Sequence, residues 1–548
     1  MLMLAATVCS CTQPDPGGEA GKAVTVGVTV VKNDADPHFL VKAVFPAGDL
    51  QSLRLTHPAR DFCVEPSYEI VGLKNAERRP ADQAQGIFLA AEPTGEGPVE
   101  VTYKVRTKLR TYDFHIGAVA SCDPLVFTND NFFAEGTALF LRPRPVDSKG
   151  EPFRFGETTV SFHGLPDDWP LSSSFSGENL AEGVTVEAYD ALLGALFIGG
   201  RFTALHKAVG GVTVSTYVPG DSAGYSEDAQ AGIEQAMPYF AKKWGAFDGA
   251  AYSIFLIPTT AGGESFGGLV GEQKHDAQYI VHAATADVGE IVTGAVHELA
   301  HWWTSQATAY MDLDFVREGF TDYVAQRAMH DLGLAPADKM IDRANLALLN
   351  MALERIPQLK EYDEGYVIAL ALDAKALEGD AGAAGIDDVL KRLFADKANP
   401  GTEETFVRMA GEAGLLAPNA PLDKSGILLP CELRLDGHNW RLMAGVWPSY
   451  DRQYEKDDAN VVTSVKPDGK AYDAGLREGD TLVAIESGGT FNISVPVVLK
   501  IRAKNGVERS VSYEPFGPVD TQRYSQFLEA GAPLPRGAVV QPSTSCQS

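Results

Sequence analysis

Two histidines four residues apart, His297 and His301, stand in the segment EIVTGAVHELAHWWTSQA. This spacing limits what the segment can become. On an α-helix, residues i and i+4 lie one above the other with about 5–6 Å between Cβ atoms, so a helix here aims both imidazoles at one point. Neutral imidazole is a good borderline ligand for zinc, at about 2.0–2.1 Å per bond. Glu298 follows the first histidine and can reach a water on such an ion. Zinc lowers the pKa of that water to roughly 7, so a neighbouring carboxylate can take its proton.

A hydrolytic zinc keeps three protein ligands and one open position. The third is expected from Glu318, in FVREGFTDYVAQRA, which reads as the next helix. Asp322, four residues on, would share the face of Glu318. It is placed to accept a hydrogen bond from the far nitrogen of a ligating histidine and so fix its tautomer. A merely solvated acidic face would not need to follow HELAH on the very next helix. The expected site is thus one Zn2+ per chain on His297, His301 and Glu318, with Glu298 as base and Asp322 behind the ligands.

The 548 residues exceed what one core usually serves, and the pattern changes along the chain. Residues 1–22 read as an export-signal remnant and a polar tether. The apolar stretch at their start is too short to span a bilayer and lacks positive residues before it. Val8-Cys9-Ser10-Cys11 resembles a bacterial lipoprotein cleavage box, with Cys11 as the lipidated residue. From 23 to 201, segments such as AVTVGVTVVK and VEVTYKVRTKL alternate with period two, which predicts a β-sandwich. From 202 to 423 come strands (VTVSTYVPG, AYSIFLIP), then helices over 227–245, 286–307, 314–332, 335–356, 364–378 and 387–396, an α+β unit. Strands return over 426–516, and the Pro/Gly/Ser-rich residues 517–548 are expected to form an extended tail.

A net charge of -27 repels phosphate backbones and argues against nucleic acid as a partner. No run of 18 apolar residues offers a transmembrane helix. The cysteines show no CxxC spacing, so a thiolate zinc site is not expected. Cys63 and Cys122 share the N-terminal region, and Cys431 and Cys546 bracket the C-terminal one. Two disulfides with that pairing would require an oxidising compartment; the alternative is four unpaired thiols. The expected location is therefore the bacterial periplasm, free or as a membrane-anchored lipoprotein.

HELAH followed by EGFTDY resembles the gluzincin metallopeptidases, among them thermolysin and the aminopeptidase N type. Within that group the chain resembles the glycyl aminopeptidase family, which joins an N-terminal β domain, a thermolysin-like catalytic domain and a C-terminal PDZ domain. VVTSVKPDGKAYDAGLREGDTLVAIESGG resembles the PDZ signature. His301-Trp302-Trp303 resembles the family's His-x-Trp continuation, although core packing under the active-site helix is the favoured reading of both tryptophans. EYDEGYVIALALDAKAL resembles its Tyr-x-Lys-Gly segment, which implies that Tyr362 stabilises the oxyanion. Glu364 stands where the family has Lys, and Val270 stands where the relatives' substrate strand, in SFGGLVGEQK, has Glu. Glu272, two residues on, then becomes the candidate for a substrate's α-amine, with Glu264 a weaker one, and Gly267 and Gly268 either let a substrate backbone approach or only shape a bulge.

The resemblance implies a zinc-dependent aminopeptidase acting on peptides or proteins, with a PDZ-like unit taking a chain terminus or extended segment. An endopeptidase or another zinc hydrolase of the same fold is the first alternative. A non-catalytic, lipid-anchored peptide-binding protein is the second.

Overall fold

The structure, a computed structural model, describes residues 2–3, 23–32, 36–56, 67–81, 86–106, 125–175, 179–220, 224–259, 268–274, 276–283, 287–308, 315–353, 360–377, 384–395, 402–416, 429–435, 438–457, 459–487, 496–526, 539–543 and 546.

The N-terminal domain is built of strands whose alternate residues are buried. In Val24–Val31 the valines at 24, 26, 28 and 30 face the core while their neighbours face outward, as a pleat with one wetted face requires. This strand runs parallel to Thr158–His163 and antiparallel to His38–Phe45, which pairs in turn with Val99–Arg106. A four-stranded sheet containing Leu50–Thr56 and Ile87–Pro93 lies in the same domain. Phe39, Phe127, Phe132 and Phe162 fill its core with edge and stacked contacts. A further small sheet holds Asn131–Glu135 and Leu196–Gly200, and its Phe133 and Ile198 pack on Tyr217 and Phe255 of the next domain. The pair Gly199-Gly200 ends a strand there. A Cβ on Gly199 would lie 2.3 Å from the Phe132 ring.

The second domain opens with a sheet in the order 2–3, 268–274, 277–283, 251–259, 212–219, 202–209. Its three central strands run parallel, and Gly268–Lys274 and Phe202–Val209 flank them antiparallel. Helices Gly224–Trp244 and Val288–Thr308 pack on it, and Thr321–Asp331, Ala337–Leu353, Lys360–Leu377, Ile386–Ala395 and Glu403–Glu412 complete the domain. None of the helices described is long and apolar enough to cross a membrane.

The C-terminal part departs from the expected division into a unit over 426–516 and an extended tail over 517–548. Phe516–Gln526 is a long strand paired antiparallel with His438–Tyr450, from Trp440↔Gln526 to Tyr450↔Phe516. Val539–Pro542 pairs on the other side of that strand, and a disulfide joins Cys431 to Cys546. Leu433, Leu435, Leu442 and Tyr524 belong to the second domain's own core. Asn345 on helix Ala337–Leu353 donates to Tyr524 O at 2.9 Å and accepts from Tyr524 N at 2.7 Å. The ribbon is therefore part of the second domain. A small unit with its own core, including Tyr454, Leu482, Leu499 and Tyr513, is inserted at the ribbon's far end. The sequence FGPVDTQRYSQ hid this strand because its Gly, Pro and polar residues carry turn signals. Its ladder partners lie from 66 residues back (Tyr450↔Phe516) to 86 residues back (Trp440↔Gln526), across the inserted unit, which local pattern cannot see.

Candidate metal centre

The HELAH helix, Val288–Thr308, starts where Asp287 Oδ1 accepts the Gly289 amide at 2.9 Å, satisfying an end donor. Its apolar residues Ile291, Ala295, Val296, Leu299 and Ala300 are buried, so it runs through the core. Trp302 and Trp303 pack against Phe247, Phe240 and Trp244, and Trp303 Nε1 donates to Gly245 O at 3.0 Å. The two tryptophans thus wedge the helix against its neighbours, and no chemistry is needed to account for them.

Glu318 lies in a single π-helical turn, Phe315–Phe320, directly before helix Thr321–Asp331. Such wide turns are uncommon and recur at functional sites, because the extra residue per turn re-aims a side chain. The turn crosses helix Lys360–Leu377 with Gly319 against Gly365. A Cβ on Gly319 would stand 2.4 Å from Gly365 Cα. This contact brings Tyr362, one turn before Gly365, to the site, where its ring stacks near His297 with centroids 6.3 Å apart and planes 16° apart.

His297 Nε2 and His301 Nε2 are 3.1 Å apart, and Glu318 Oε2 stands 3.2 Å from His301 Nε2 and 3.8 Å from His297 Nε2. All three side chains are buried, with Glu298 beside them. Among the described residues, this is the group of His, Cys, Asp and Glu side chains whose ligand atoms lie within 4.8 Å of one another. Glu318's two oxygens take no hydrogen bond of good geometry. A buried carboxylate normally collects several such bonds. Here it and two facing imidazole nitrogens converge on one point. Two nitrogens and one carboxylate oxygen form the donor set of a catalytic zinc, so the residues present fit that ion.

The electrostatics follow from this crowding. Burial works against the Glu318 carboxylate, but the His301 and His297 rings outweigh it and hold its pKa well below the ordinary carboxylate range. Burial also pushes His297 down, yet Glu318, Glu298 and Asp322 together raise it above the usual histidine value. For His301 burial prevails and the pKa falls. Tyr362 is pushed well above an ordinary phenol, by burial first and then by Glu318, so it keeps its proton.

Asp322 is buried beside this cluster but takes a different partner from the one its spacing suggests. Its Oδ2 accepts from Arg343 Nε at 2.6 Å. No hydrogen bond joins it to either imidazole; Asp322 Oδ1 and His297 Nδ1 are both buried without one. The π turn is the physical reason: it breaks the register that would have stacked Asp322 on Glu318. Thr304 Oγ1 stands 3.5 Å from His301 Nδ1 and 2.7 Å from Thr321 Oγ1.

Gly268 and Glu272 lie in strand Gly268–Lys274, with Glu272 opposite Tyr279, and this strand runs against the HELAH helix. Gly267, Glu264, Cys11, Cys63 and Cys122 lie outside the described residues. Sequence reasoning passed over Arg343 and Asp363. Arg343 Nη1 donates to Asp363 Oδ1 at 2.7 Å while its Nε holds Asp322. A lone arginine on the largely apolar helix ADKMIDRANLALLNMAL was the signal that could have found it.

No family model matches the chain, and no curated protein matches it in sequence. Solved structures do match in fold. An aminopeptidase N family protein from Idiomarina loihiensis superposes with a TM-score of 0.58 at 14% identity, over 92% of this chain and 98% of that one. An M1 zinc metallopeptidase from Deinococcus radiodurans gives a TM-score of 0.45 at 14% identity, over 72% of this chain and 90% of that one. The chain therefore has the fold of the first of these along nearly its whole length.

Proposed function

We propose that this protein is a zinc-dependent peptidase, an aminopeptidase of the glycyl-aminopeptidase type. The observation that carries the proposal is the convergence of His297, His301 and Glu318 with Glu298 and Tyr362 around one buried point. The fold shared with the Idiomarina loihiensis aminopeptidase N family protein supports it.

Zinc on those three ligands supplies a Lewis acid for the scissile carbonyl and a water acidic enough to react near neutral pH. Glu298 takes a proton from the attacking water and hands it to the leaving amine. Tyr362, kept protonated by burial, donates its hydroxyl hydrogen bond to the oxygen on which negative charge develops. Among the described residues, strand Gly268–Lys274 pairs on its outer side with Leu2–Met3, an arrangement open to an extended peptide by strand addition. Glu272 on that strand receives the substrate's α-amine, and Gly267 and Gly268 allow its backbone to come close.

The inserted unit around residues 454–513 is PDZ-like in this reading and takes a chain terminus or extended segment. The Cys431–Cys546 disulfide supports an oxidising compartment, consistent with a periplasmic protein tethered through Cys11.

The test compares wild type with Glu298→Gln for bound metal and for hydrolysis of free and N-blocked peptides. One zinc per chain in both, with cleavage of free peptides lost only in the variant, is the expected result. Zinc without hydrolysis of any peptide by the wild type would favour a binding protein. No zinc in the wild type would remove the metal centre.

A further inference from the structure

Helix Ala337–Leu353 contributes no ligand, yet it carries a guanidinium into the wall of the site. Arg343 is largely buried, and its planar fork makes two short bonds in two directions: Nε to Asp322 Oδ2 at 2.6 Å, and Nη1 to Asp363 Oδ1 at 2.7 Å. Its flat face lies 5.0 Å from the centre of the Tyr366 ring. Asp322 is four residues beyond Glu318, on the helix that continues the π turn. Asp363 is the residue after Tyr362, and Tyr366 is one turn beyond it on the same helix. One side chain therefore ties the segment that presents the third metal ligand to the helix that presents the phenol.

The base of this clamp is fixed as well. Two residues on from Arg343, Asn345 makes its pair of hydrogen bonds to the Tyr524 backbone, and Thr521 Oγ1 donates to Leu348 O at 3.1 Å. The helix is held from behind by the C-terminal ribbon while its arginine holds the site from the side. An arginine whose planar fork bridges two carboxylates restricts direction as well as distance, which a lysine ammonium cannot do.

We propose that Arg343 is a positioning residue, which sets Glu318 through Asp322 and Tyr362 through Asp363. Asp322 and Asp363 are its two arms, and each acts on a different part of the chemistry. The inference rests on the proposed zinc-dependent hydrolysis.

Three full-length variants test it: Arg343→Lys, Asp322→Asn and Asp363→Asn. Each is measured for zinc affinity by competition with a chelator, for kcat and KM on a peptide the wild type cleaves, and for melting temperature without metal. Asp322→Asn, which acts on Glu318 only through the chain that joins them, is expected to weaken zinc by up to about tenfold, the low end of the effect of losing a direct partner of a ligand. Asp363→Asn is expected to lower kcat by about tenfold or more with zinc affinity and KM unchanged. Arg343→Lys is expected to combine both effects. If Arg343→Lys does not fold, the two asparagine variants still separate the arms. Variants that lose only melting temperature, with zinc affinity and kcat at the wild-type level, would overturn the proposal and leave Arg343 a core ion pair. A wild type that binds zinc and cleaves peptides in the same experiment keeps that failure distinct from failure of the peptidase reading; a wild type that does neither overturns both.

Discussion

Gly319 and Gly365 cross with no room for a side chain between them: a Cβ on Gly319 would stand 2.4 Å from Gly365 Cα and 2.7 Å from Tyr366 N. The contact is backbone against backbone, so no rotamer change can relieve it. It sets how near the π turn with Glu318 comes to the helix with Tyr362. Gly319→Ala is expected to force the two segments apart, at a cost of about 1–3 kcal/mol typical of overpacking, and to weaken zinc binding. Thermal melts with and without zinc check this, and a variant with wild-type stability and zinc affinity would contradict it.

Tyr362→Phe removes one hydroxyl and keeps the ring that stacks near His297. The expected outcome is a kcat lower by about 10²- to 10³-fold, the scale of losing one oxyanion donor, with zinc stoichiometry intact. Steady-state kinetics beside a metal assay would show it. Unchanged kcat would remove Tyr362 from the chemistry.

Zinc binding should strengthen with pH across the neutral range. His297 has a raised pKa in the metal-free protein, because Glu318, Glu298 and Asp322 outweigh the burial that would lower it. A raised pKa means that His297 stabilises the metal-free fold below the unfolded histidine pKa of about 6.5, and that this contribution is lost as pH rises through the higher folded value. A ligand must be neutral, so zinc has to displace the proton. His301, with its lowered pKa, contributes no such proton. Calorimetric titrations near pH 6.5 in buffers of different ionisation enthalpy should report proton release; identical heats in all buffers would be evidence against it.

Cys431 and Cys546 close a loop of 115 residues in sequence that contains the whole inserted unit. Replacing both by alanine is expected to lower stability by about 2–5 kcal/mol, the usual range for losing a native disulfide. The loss should appear in the second domain, because the ribbon's Leu442 and Tyr524 lie in that domain's core. A melt in which only the inserted unit is destabilised would argue against the domain organisation described here.

The sequence by itself determined many of the elements and which residue types meet at the candidate site. Period-two runs such as Val24–Val31 announce a strand with one buried face, since a pleat alternates its side chains. HELAH announces a helix with two imidazoles on one side, since only 3.6 residues per turn brings positions 297 and 301 together. These are local rules, and local pattern is enough to read them. Only the tertiary structure decided the rest. The π turn at Glu318, the Gly319–Gly365 crossing, the grip of Arg343 on Asp322 and Asp363, and the strand Phe516–Gln526 all depend on partners from 20 to more than 170 residues away. Asp322 shows the difference most directly. Its position close to Glu318 in the chain follows from spacing, but its partner is set by which donor the fold brings within reach, and that donor, Arg343, comes from a helix that carries none of the clustered side chains.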